Sequence, residues 1–254
     1  MIPKVINYCW FGGEPLPGSV KLNIDSWKKF CPDYKIIQWN EKNFDVNKYC
    51  FAREAYEKKK WAFVSDVARL DIIYKHGGIY LDTDVELIKS LDPVLNAQSY
   101  FACEDRFSVN TGLGFGSVKK NEFILSNLKE YKNKHFINSN GSLNEILCVD
   151  VTTHLLSLMG FKANESKQII NGMVIYPSSY FCPIQLGHRN NKVSSNTISI
   201  HHYSASWKEA SDNIKGSDRM IILKKYIKHY VDYICGYGTY NKFKKILRMK
   251  NNFL

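Results

Sequence analysis

Two periodicities alternate along the chain, and together they predict an α/β fold. Short apolar runs at residues 4–10, 34–39 and 100–104 have the composition of buried strands. Apolar side chains recur at helical spacing in five other segments, residues 19–30, 52–60, 63–76, 121–131 and 148–159. Further strands are predicted at 169–176 and 197–202. This order of strands and helices indicates a mixed, mostly parallel central sheet flanked by helices.

Residues 63–91 hold the pattern that bears most directly on chemistry. The helical spacing stops at Gly77, which can adopt the positive φ of a helix C-cap. From residue 79 to residue 87, apolar side chains then alternate with polar ones, which is the period of a strand, and we expect that strand to end in Asp82-Thr83-Asp84. Asp82 and Asp84 would leave the same face of that strand, about 6 to 7 Å apart.

Two carboxylates at this spacing can hold a hard divalent cation together with one more oxygen-rich ligand. Asp66 and Arg69 are three residues apart on the preceding helix and share one of its faces, so we expect them to reach the same cleft. The alternative is an ordinary strand end whose two acids are solvated, because Asp-x-Asp is a common sequence.

The whole block resembles the signature of glycosyltransferase family 32, S-D-x-x-R-x-x-x-L/I-x-x-x-G-G-x-Y-x-D-x-D. Nine positions match it: Ser65, Asp66, Arg69, Ile73, Gly77, Gly78, Tyr80, Asp82 and Asp84. That family includes bacterial capsular polysaccharide glycosyltransferases and yeast mannosyltransferases, and it is related to the glucosylating domains of clostridial toxins. The resemblance implies a GT-A type nucleotide-sugar-binding fold over residues 1–208.

The start of the chain is similar to the family pattern I-P-K-x-I-H-x-x-W-x-G-G, with Asn7 where many relatives have His. By this resemblance Trp10 stacks on the nucleotide base, with Cys9 beside it in the donor site. Trp10 as an ordinary core residue is the alternative. In residues 110–116 every second residue after Asn110 is glycine, which permits close approach of a ligand. Asn110 is therefore a candidate contact for the transferred sugar.

Near residue 200 the sequence H-H-x-x-x-S-W resembles the C-terminal motif of the same family. In related retaining transferases a His-Tyr pair places its histidine on the metal, so the resemblance assigns His202, with Asp84, to Mn²⁺ or Mg²⁺. It places Ser206 and Trp207 at the diphosphate. Both histidines could instead be surface residues.

The resemblance implies a metal-dependent retaining glycosyltransferase that moves a hexose from a UDP-sugar to a saccharide acceptor. We expect a lipid-linked acceptor, such as a polyprenyl-diphosphate-linked saccharide, and a role in capsular or surface polysaccharide synthesis. The assigned catalytic residues are Asp66, Arg69, Asp82 and Asn110. The assigned donor-binding residues are Cys9, Trp10, Ser65, Asp66, Arg69, Asp82, Thr83, Ser206 and Trp207, with Asp82 reaching the ribose or the sugar.

Two other classes compete with this interpretation. A metal-dependent phosphohydrolase or nucleotidyltransferase also uses paired aspartates, and it would hydrolyse nucleotides without a sugar acceptor. A non-enzymatic basic protein would bind membranes or nucleic acid through its charge alone, since the net charge is +11 and the pI is near 9.2.

Cysteine usage, targeting segments and charge indicate where in the cell the protein is expected to act. Seven scattered cysteines without a C-x-x-C pair disfavour zinc and disulfide frameworks. The sequence shows neither a signal peptide nor an apolar run of transmembrane length, which predicts a cytoplasmic protein.

Residues 209–254 are predicted to form a basic amphipathic helical extension that suits the anionic inner face of the cell membrane. The alternative is that this helix packs on the domain with only its outer face basic. No nucleic-acid-binding motif accompanies the charge, so nucleic acid is not an expected partner.

Overall fold

A computed structural model describes residues 1–184 and 193–203, together with six positions farther along, 227, 228, 231, 239, 240 and 243. The two long ranges belong to one compact unit, and the six positions belong to a second unit, in which they have helical backbone. Nearly all of the predicted basic extension therefore lies outside the described residues. Within the described part of the chain, no helix has the length and apolar character needed to cross a membrane.

Strands and helices alternate through the first unit. The strands are β1 Val5–Cys9, β2 Lys35–Trp39, β3 Gly78–Tyr80, β4 Val85–Leu87, β5 Ser99–Asp105, β6 Ser108–Val109, β7 Phe115–Ser117, β8 Gln168–Ile170, β9 Met173–Tyr176 and β10 Ser199–His201. The α-helices are α1 Gly18–Phe30, α2 Cys50–Glu57, α3 Trp61–His76, α4 Glu122–Lys132, α5 Cys148–Leu158 and α6 Ser178–Phe181. Two short 3₁₀ helices span Val46–Lys48 and Asp92–Val94.

Eight of these strands form the central sheet, in the order β2-β1-β3-β7-β5-β9-β8, with β6 paired to β5. β1 runs parallel to β2 and β3, and β5 runs parallel to β9. β7 is antiparallel to both β3 and β5, so five strands (β1, β2, β3, β5 and β9) share one direction. The predicted α/β architecture, with a mixed and mostly parallel sheet flanked by helices, is confirmed.

The sheet buries both of its faces. One core cluster contains most of the apolar side chains of α3 together with those of α2 and α4. The cluster on the other face contains Trp27 of α1, which is fully buried and donates from its indole N–H to the carbonyl of Val85, 2.8 Å away. Because helices cover both faces, the strand ends are the places where polar side chains can gather.

The predicted helix boundary at Gly77 is confirmed. Its φ is 69° and its ψ is −169°, a region that is strained for any residue with a side chain. The Gly77 N–H donates to the carbonyl of Ile73, which closes α3. This cap turns the chain directly from α3 into β3.

The strand that was expected to end in Asp82-Thr83-Asp84 ends earlier, at Tyr80, and the alternation over residues 79–87 includes a turn and a second strand. The chain leaves the central sheet after Tyr80, and a turn over residues 81–84 directs it into β4. β4 then pairs antiparallel with β10 in a separate two-stranded ribbon, with Val85 opposite His201. The alternation of polar and apolar residues continues through the turn because Leu81 at its start and Val85 after it are both buried in one core cluster.

The predicted strand over 169–176 is likewise two strands. Asn171 and Gly172 have φ values of 46° and 79° and form a tight turn between β8 and β9. An Asn-Gly pair is the preferred sequence for such a two-residue hairpin.

Candidate active site

The β3–β4 turn and the end of β10 bring Asp82, Asp84 and His201 together. Each offers one ligand atom, and these atoms all lie within 4.8 Å of one another. The Nε2 atom of His201 lies 3.1 Å from Oδ1 of Asp84. Backbone pairing fixes this arrangement, because β4 and β10 are paired and the N–H of His202 donates to the carbonyl of Asp84.

His201, and not His202, occupies this cluster, which corrects the assignment of His202 as the metal ligand. The His202 ring lies outside it, with Nε2 2.9 Å from Oε2 of Glu86 and with 44% of its side chain exposed. Successive residues of a strand face opposite sides, and β10 buries Ser199 and His201. His202 is one residue farther along and therefore lies on the outer side.

The donor set of this cluster fits a divalent cation. Two carboxylates and one imidazole are ligands that suit Mn²⁺ well. The Nδ1 atom of His201 is buried and has no hydrogen-bond partner among the described residues. Burial opposes protonation of this imidazole, yet the hydrogen bond and the charge of Asp84 outweigh it and raise the pKa of His201.

The local excess of negative charge is visible at Asp82. Burial is the main reason why the pKa of Asp82 rises to about 6, and the Asp84 carboxylate adds to the rise while the Arg69 cation opposes it. A cation held by these residues would relieve this repulsion. A cation would also favour the charged form of Asp82, which burial disfavours.

Arg69 connects helix α3 to the same turn. Its Nη2 atom lies 3.1 Å from Oδ1 of Asp66 and 3.1 Å from Oδ1 of Asp82. The guanidinium lies over the Tyr80 ring, 4.8 Å from its centroid, and the Tyr80 hydroxyl donates to Asp82. The structure thus brings Asp66, Arg69 and Asp82 into one buried network.

Asp66 is the buried carboxylate of this network. Only 7% of the residue is exposed. Burial raises the pKa of Asp66, against the opposing effects of the Arg69 charge and of hydrogen bonds from the backbone N–H and thiol of Cys148. Cys148 is the first residue of α5, so the Asp66 carboxylate fastens the start of that helix to α3.

Cys9 and Trp10, which were predicted to lie in the donor site, are at the end of β1. Burial raises the pKa of the Cys9 thiol to about 12, and this thiol lies among Arg69, Tyr80 and Ser65 beneath the network. Trp10 is half-buried, and its indole N–H donates to the carbonyl of Glu14.

Two further donor-site candidates contribute backbone carbonyl groups in the structure. The carbonyl of Ser65 accepts from Nε of Arg69 at 3.1 Å. The carbonyl of Thr83 accepts from the side-chain amide of Asn23 at 2.9 Å. Ser206 and Trp207 lie outside the described residues.

Asn110 and Gly112 form the wall opposite α3. The Oδ1 atom of Asn110 accepts from the N–H of Gly112 at 2.7 Å, and the carbonyl of Gly112 accepts from the N–H of Asp82 at 3.1 Å. A Cβ atom on Gly112 would lie 2.1 Å from Oδ2 of Asp82. Glycine at this position is therefore what allows the turn to lie against the wall.

Two residues of this site escaped the sequence analysis. The Tyr203 hydroxyl donates to Oε1 of Glu104 at 3.3 Å, and the side-chain amide of Asn110 donates to Oε2 of Glu104, also at 3.3 Å. The Tyr203 ring packs edge-on against His201, with 4.3 Å between the ring centroids. The fold could have indicated Glu104. It lies near the carboxyl end of β5, which runs in the same direction as β1 and β3, so it is at the same edge of the sheet as the ends of those strands.

Comparison with known proteins finds that part of the chain is similar to a family of sugar-transferring enzymes. Residues 17–102 match the family model described as "Glycosyltransferase sugar-binding region containing DXD motif". The matched range contains Asp66, Arg69, Asp82 and Asp84 and ends before His201. The match therefore covers the α3 and turn side of the site.

Two curated relatives come from Schizosaccharomyces pombe. Inositol phosphoceramide mannosyltransferase 3 is 31% identical over 147 residues, which cover 53% of this chain and 40% of the relative. Inositol phosphoceramide mannosyltransferase 2 is 24% identical over 215 residues, which cover 82% of this chain and 58% of the relative. The chain thus spans about half the length of these relatives. Among solved structures, the PaToxG glycosyltransferase superposes with a TM-score of 0.45 at 21% identity, over 62% of this chain and 68% of that one.

Proposed function

We propose that this chain is a metal-dependent glycosyltransferase that moves a hexose from a nucleotide sugar to a hydroxyl group of an acceptor. One observation carries the proposal: the Asp-Thr-Asp turn inside the matched sugar-binding region meets His201 from the distant β10 strand. The cluster supplies a cation site, and the Arg69 network beside it supplies polar groups for a sugar.

Asp82, Asp84 and His201 would hold the cation, Mn²⁺ or Mg²⁺. When bound, such an ion stabilises the charge that develops on the diphosphate leaving group. Asp84 and His201 are fixed by the paired β4–β10 ribbon, so they need little rearrangement to act as ligands. Arg69 and Tyr80 hold the Oδ1 atom of Asp82. The Oδ2 atom of the same carboxylate lies toward Gly112.

The remaining residues orient the donor. Trp10, at the end of β1, is proposed to stack on the base. Arg69 is held by three groups, namely two carboxylates and the Ser65 carbonyl, so its position is fixed before any substrate binds. Fixed positioning of reacting groups can lower a barrier by several kcal/mol, on the order of 7 for ideal geometry. We propose that the anomeric configuration is retained and that the departing phosphate takes the proton of the acceptor hydroxyl.

The names of the two relatives guide the choice of donor and acceptor. Both are inositol phosphoceramide mannosyltransferases. This supports a hexose donor and a lipid-linked acceptor for the present chain. Our sequence-based expectation of a UDP-hexose therefore widens to include GDP-mannose, and the role in capsular or surface polysaccharide synthesis stays a prediction. Attachment to the inner face of the membrane also stays a prediction.

A thermal-shift screen tests the proposal directly. UDP-glucose, UDP-galactose and GDP-mannose would each be added with MnCl₂, and again with EDTA. We expect one sugar nucleotide to raise the melting temperature in the presence of Mn²⁺ only, and the Asp84→Asn variant to lose that shift. Release of inorganic phosphate from nucleotides, with equal stabilisation by nucleotides that carry no sugar, would instead assign the chain to the phosphohydrolases.

A further inference from the structure

Glu104 is a carboxylate that two separate parts of the chain hold in the site. It lies near the end of β5 and is partly exposed. Asn110, in the loop after β6, donates to Oε2, and Tyr203, two residues beyond β10, donates to Oε1. A carboxylate has about four lone-pair positions, so a group of this kind can accept several hydrogen bonds at once.

The two donors are themselves held in place. Asn110 uses its Oδ1 atom to bind the N–H of Gly112, which fixes the direction of its side-chain amide toward Glu104. The Tyr203 hydroxyl also lies 3.0 Å from the Cys182 sulfur, and its backbone has a φ of 49° in the left-handed region. A side chain braced on both sides loses little entropy when it binds a ligand.

A row of contacts through the buried Cys148 sulfur and Asn110 connects the Arg69 network to this carboxylate. The Nη1 atom of Arg69 lies 3.9 Å from the Cys148 sulfur, which lies 4.0 Å from Oδ1 of Asn110, and Asn110 donates to Glu104. At the far end, Tyr203 packs against His201 of the cation cluster. The row therefore starts and ends beside the residues that would hold the donor diphosphate.

From this placement we propose that Glu104 binds a hydroxyl group of the transferred hexose and thereby selects the sugar. This inference rests on the proposed glycosyltransferase function. The negative charge of Glu104 would repel the diphosphate, whereas a hydroxyl donor gains a charge-assisted hydrogen bond. The hexose of the bound donor lies along the row from Arg69 to Glu104, and Glu104 contacts the hydroxyl farthest from Arg69.

The test uses the full chain with Mn²⁺ and the sugar nucleotide, among UDP-glucose, UDP-galactose and GDP-mannose, that stabilises the wild type most. Affinities for that sugar nucleotide and for its parent nucleoside diphosphate are measured by calorimetry. Glu104→Gln should weaken the sugar nucleotide about tenfold, as expected for loss of a hydrogen bond to a charged group, and leave the nucleoside diphosphate unchanged. Donor analogues lacking one hydroxyl each should show one position at which wild type and variant bind equally.

Glu86→Gln is the matched control, because Glu86 is also a partly exposed acid with a hydrogen-bonding partner, His202. It should bind both compounds as the wild type does. An unchanged ratio of the two affinities in Glu104→Gln would overturn the inference. If the ratio were intact but transfer to an acceptor were lost, Glu104 would be assigned to the acceptor instead. A wild type that binds no sugar nucleotide would contradict the proposed function itself.

Discussion

His201 and His202 show at the scale of single residues how one position in a strand decides a role. Both are histidines and both belong to the sequence that resembles a metal-binding motif. The structure directs His201 to Asp84 and His202 to Glu86. Two substitutions, one at each histidine, can separate the two roles.

We expect His201→Ala to lose the stabilisation that Mn²⁺ and the sugar nucleotide give together, because one of three ligands is gone. Loss of one ligand should weaken Mn²⁺ binding by at least tenfold. His202→Ala should keep the full shift in the same thermal assay. If His202→Ala lost the shift and His201→Ala kept it, the original assignment of His202 would be restored.

Gly112 gives a second prediction at this scale. A methyl group there would meet Asp82 Oδ2 at 2.1 Å, well inside contact distance, so the turn has to move away from the wall. We expect Gly112→Ala to lower transfer by about 100-fold, as small displacements in an active site can do. Initial rates with the preferred donor measure this.

Gly18→Ala is the control for that substitution, because a Cβ atom on Gly18 meets nothing within 4 Å. Its transfer rate should equal that of the wild type. A Gly112→Ala variant with the wild-type rate would show that the turn does not need its present position.

Sequence reasoning named the site residues on α3 and the turn, and it missed Glu104 and Tyr203, which come from distant elements. Asp66, Arg69, Asp82 and Asp84 lie within twenty residues of one another, so spacing alone brings them together. Glu104 and Tyr203 are 99 residues apart and meet only because β5 and the segment after β10 end at the same place. No local pattern contains that information.

At the scale of elements, helix α3 is tied to its surroundings by a buried acid on the side away from the site. Asp71 is 2% exposed, and its Oδ1 atom accepts from Lys48 at 2.5 Å and from the Tyr49 hydroxyl at 2.9 Å. Its Oδ2 atom lies 3.0 Å from Lys75. Burial acts to raise the pKa of Asp71, but the hydrogen bonds from Lys48, Lys75 and Tyr49 outweigh it and hold the pKa below its usual value.

Asp71→Asn should therefore lower the free energy of unfolding by about 1–3 kcal/mol at pH 7. The unfolded chain binds more protons at this position than the folded one, so the contribution of Asp71 is full above the unfolded pKa of about 3.9. It declines as the pH falls through the lowered folded pKa. Urea unfolding of both proteins between pH 7 and pH 3 measures the difference.

Asp25→Asn is the control, because Asp25 forms an exposed ion pair with Lys28, with 63% of each side chain exposed. Such pairs contribute little to stability. A gap between wild type and Asp71→Asn that widened toward low pH would contradict the charge-based explanation.

The helices were easier to predict than the strands, and the reason is physical. The predicted helix 19–30 became Gly18–Phe30, and 63–76 became Trp61–His76, since their apolar spacing extends over several turns. The alternating segment at 79–87 and the predicted strand at 169–176 are each interrupted by a turn of two to four residues. A three-residue strand such as β3 is stabilised by its neighbours β1 and β7, so its limits depend on distant segments.

At the scale of the whole molecule, charge is concentrated toward the end of the chain. Residues 209–254 contain ten lysines and arginines against four acids, which is more than half of the net charge of +11. A basic segment with interspersed aromatics favours an anionic membrane surface, at about 1 kcal/mol per basic residue near it.

We expect the full chain to sediment with vesicles of phosphatidylcholine containing one third phosphatidylglycerol, and not with pure phosphatidylcholine. Replacing Lys242, Lys244, Lys245 and Lys250 by Gln should lower the bound fraction by at least tenfold at 0.1 M salt, and added salt should do the same to the wild type. Replacing Lys28, Lys29, Lys58 and Lys59 by Gln, which lie outside the tail, is the charge-matched control. Equal loss in both variants would show that total charge, and not the tail, governs binding.

The β4–β10 ribbon has a consequence for the order in which the protein acquires its function. It joins residues 85–87 to residues 199–201, so closing it requires a loop of more than a hundred residues. Contacts of such long range form late, after local helices and the neighbouring strands have condensed. A chain still on the ribosome, or one cut before residue 199, would possess the aspartates and lack the imidazole. If the proposed site holds Mn²⁺, affinity for the ion should therefore appear only after the ribbon has closed, and Mn²⁺ binding can be used to follow that step.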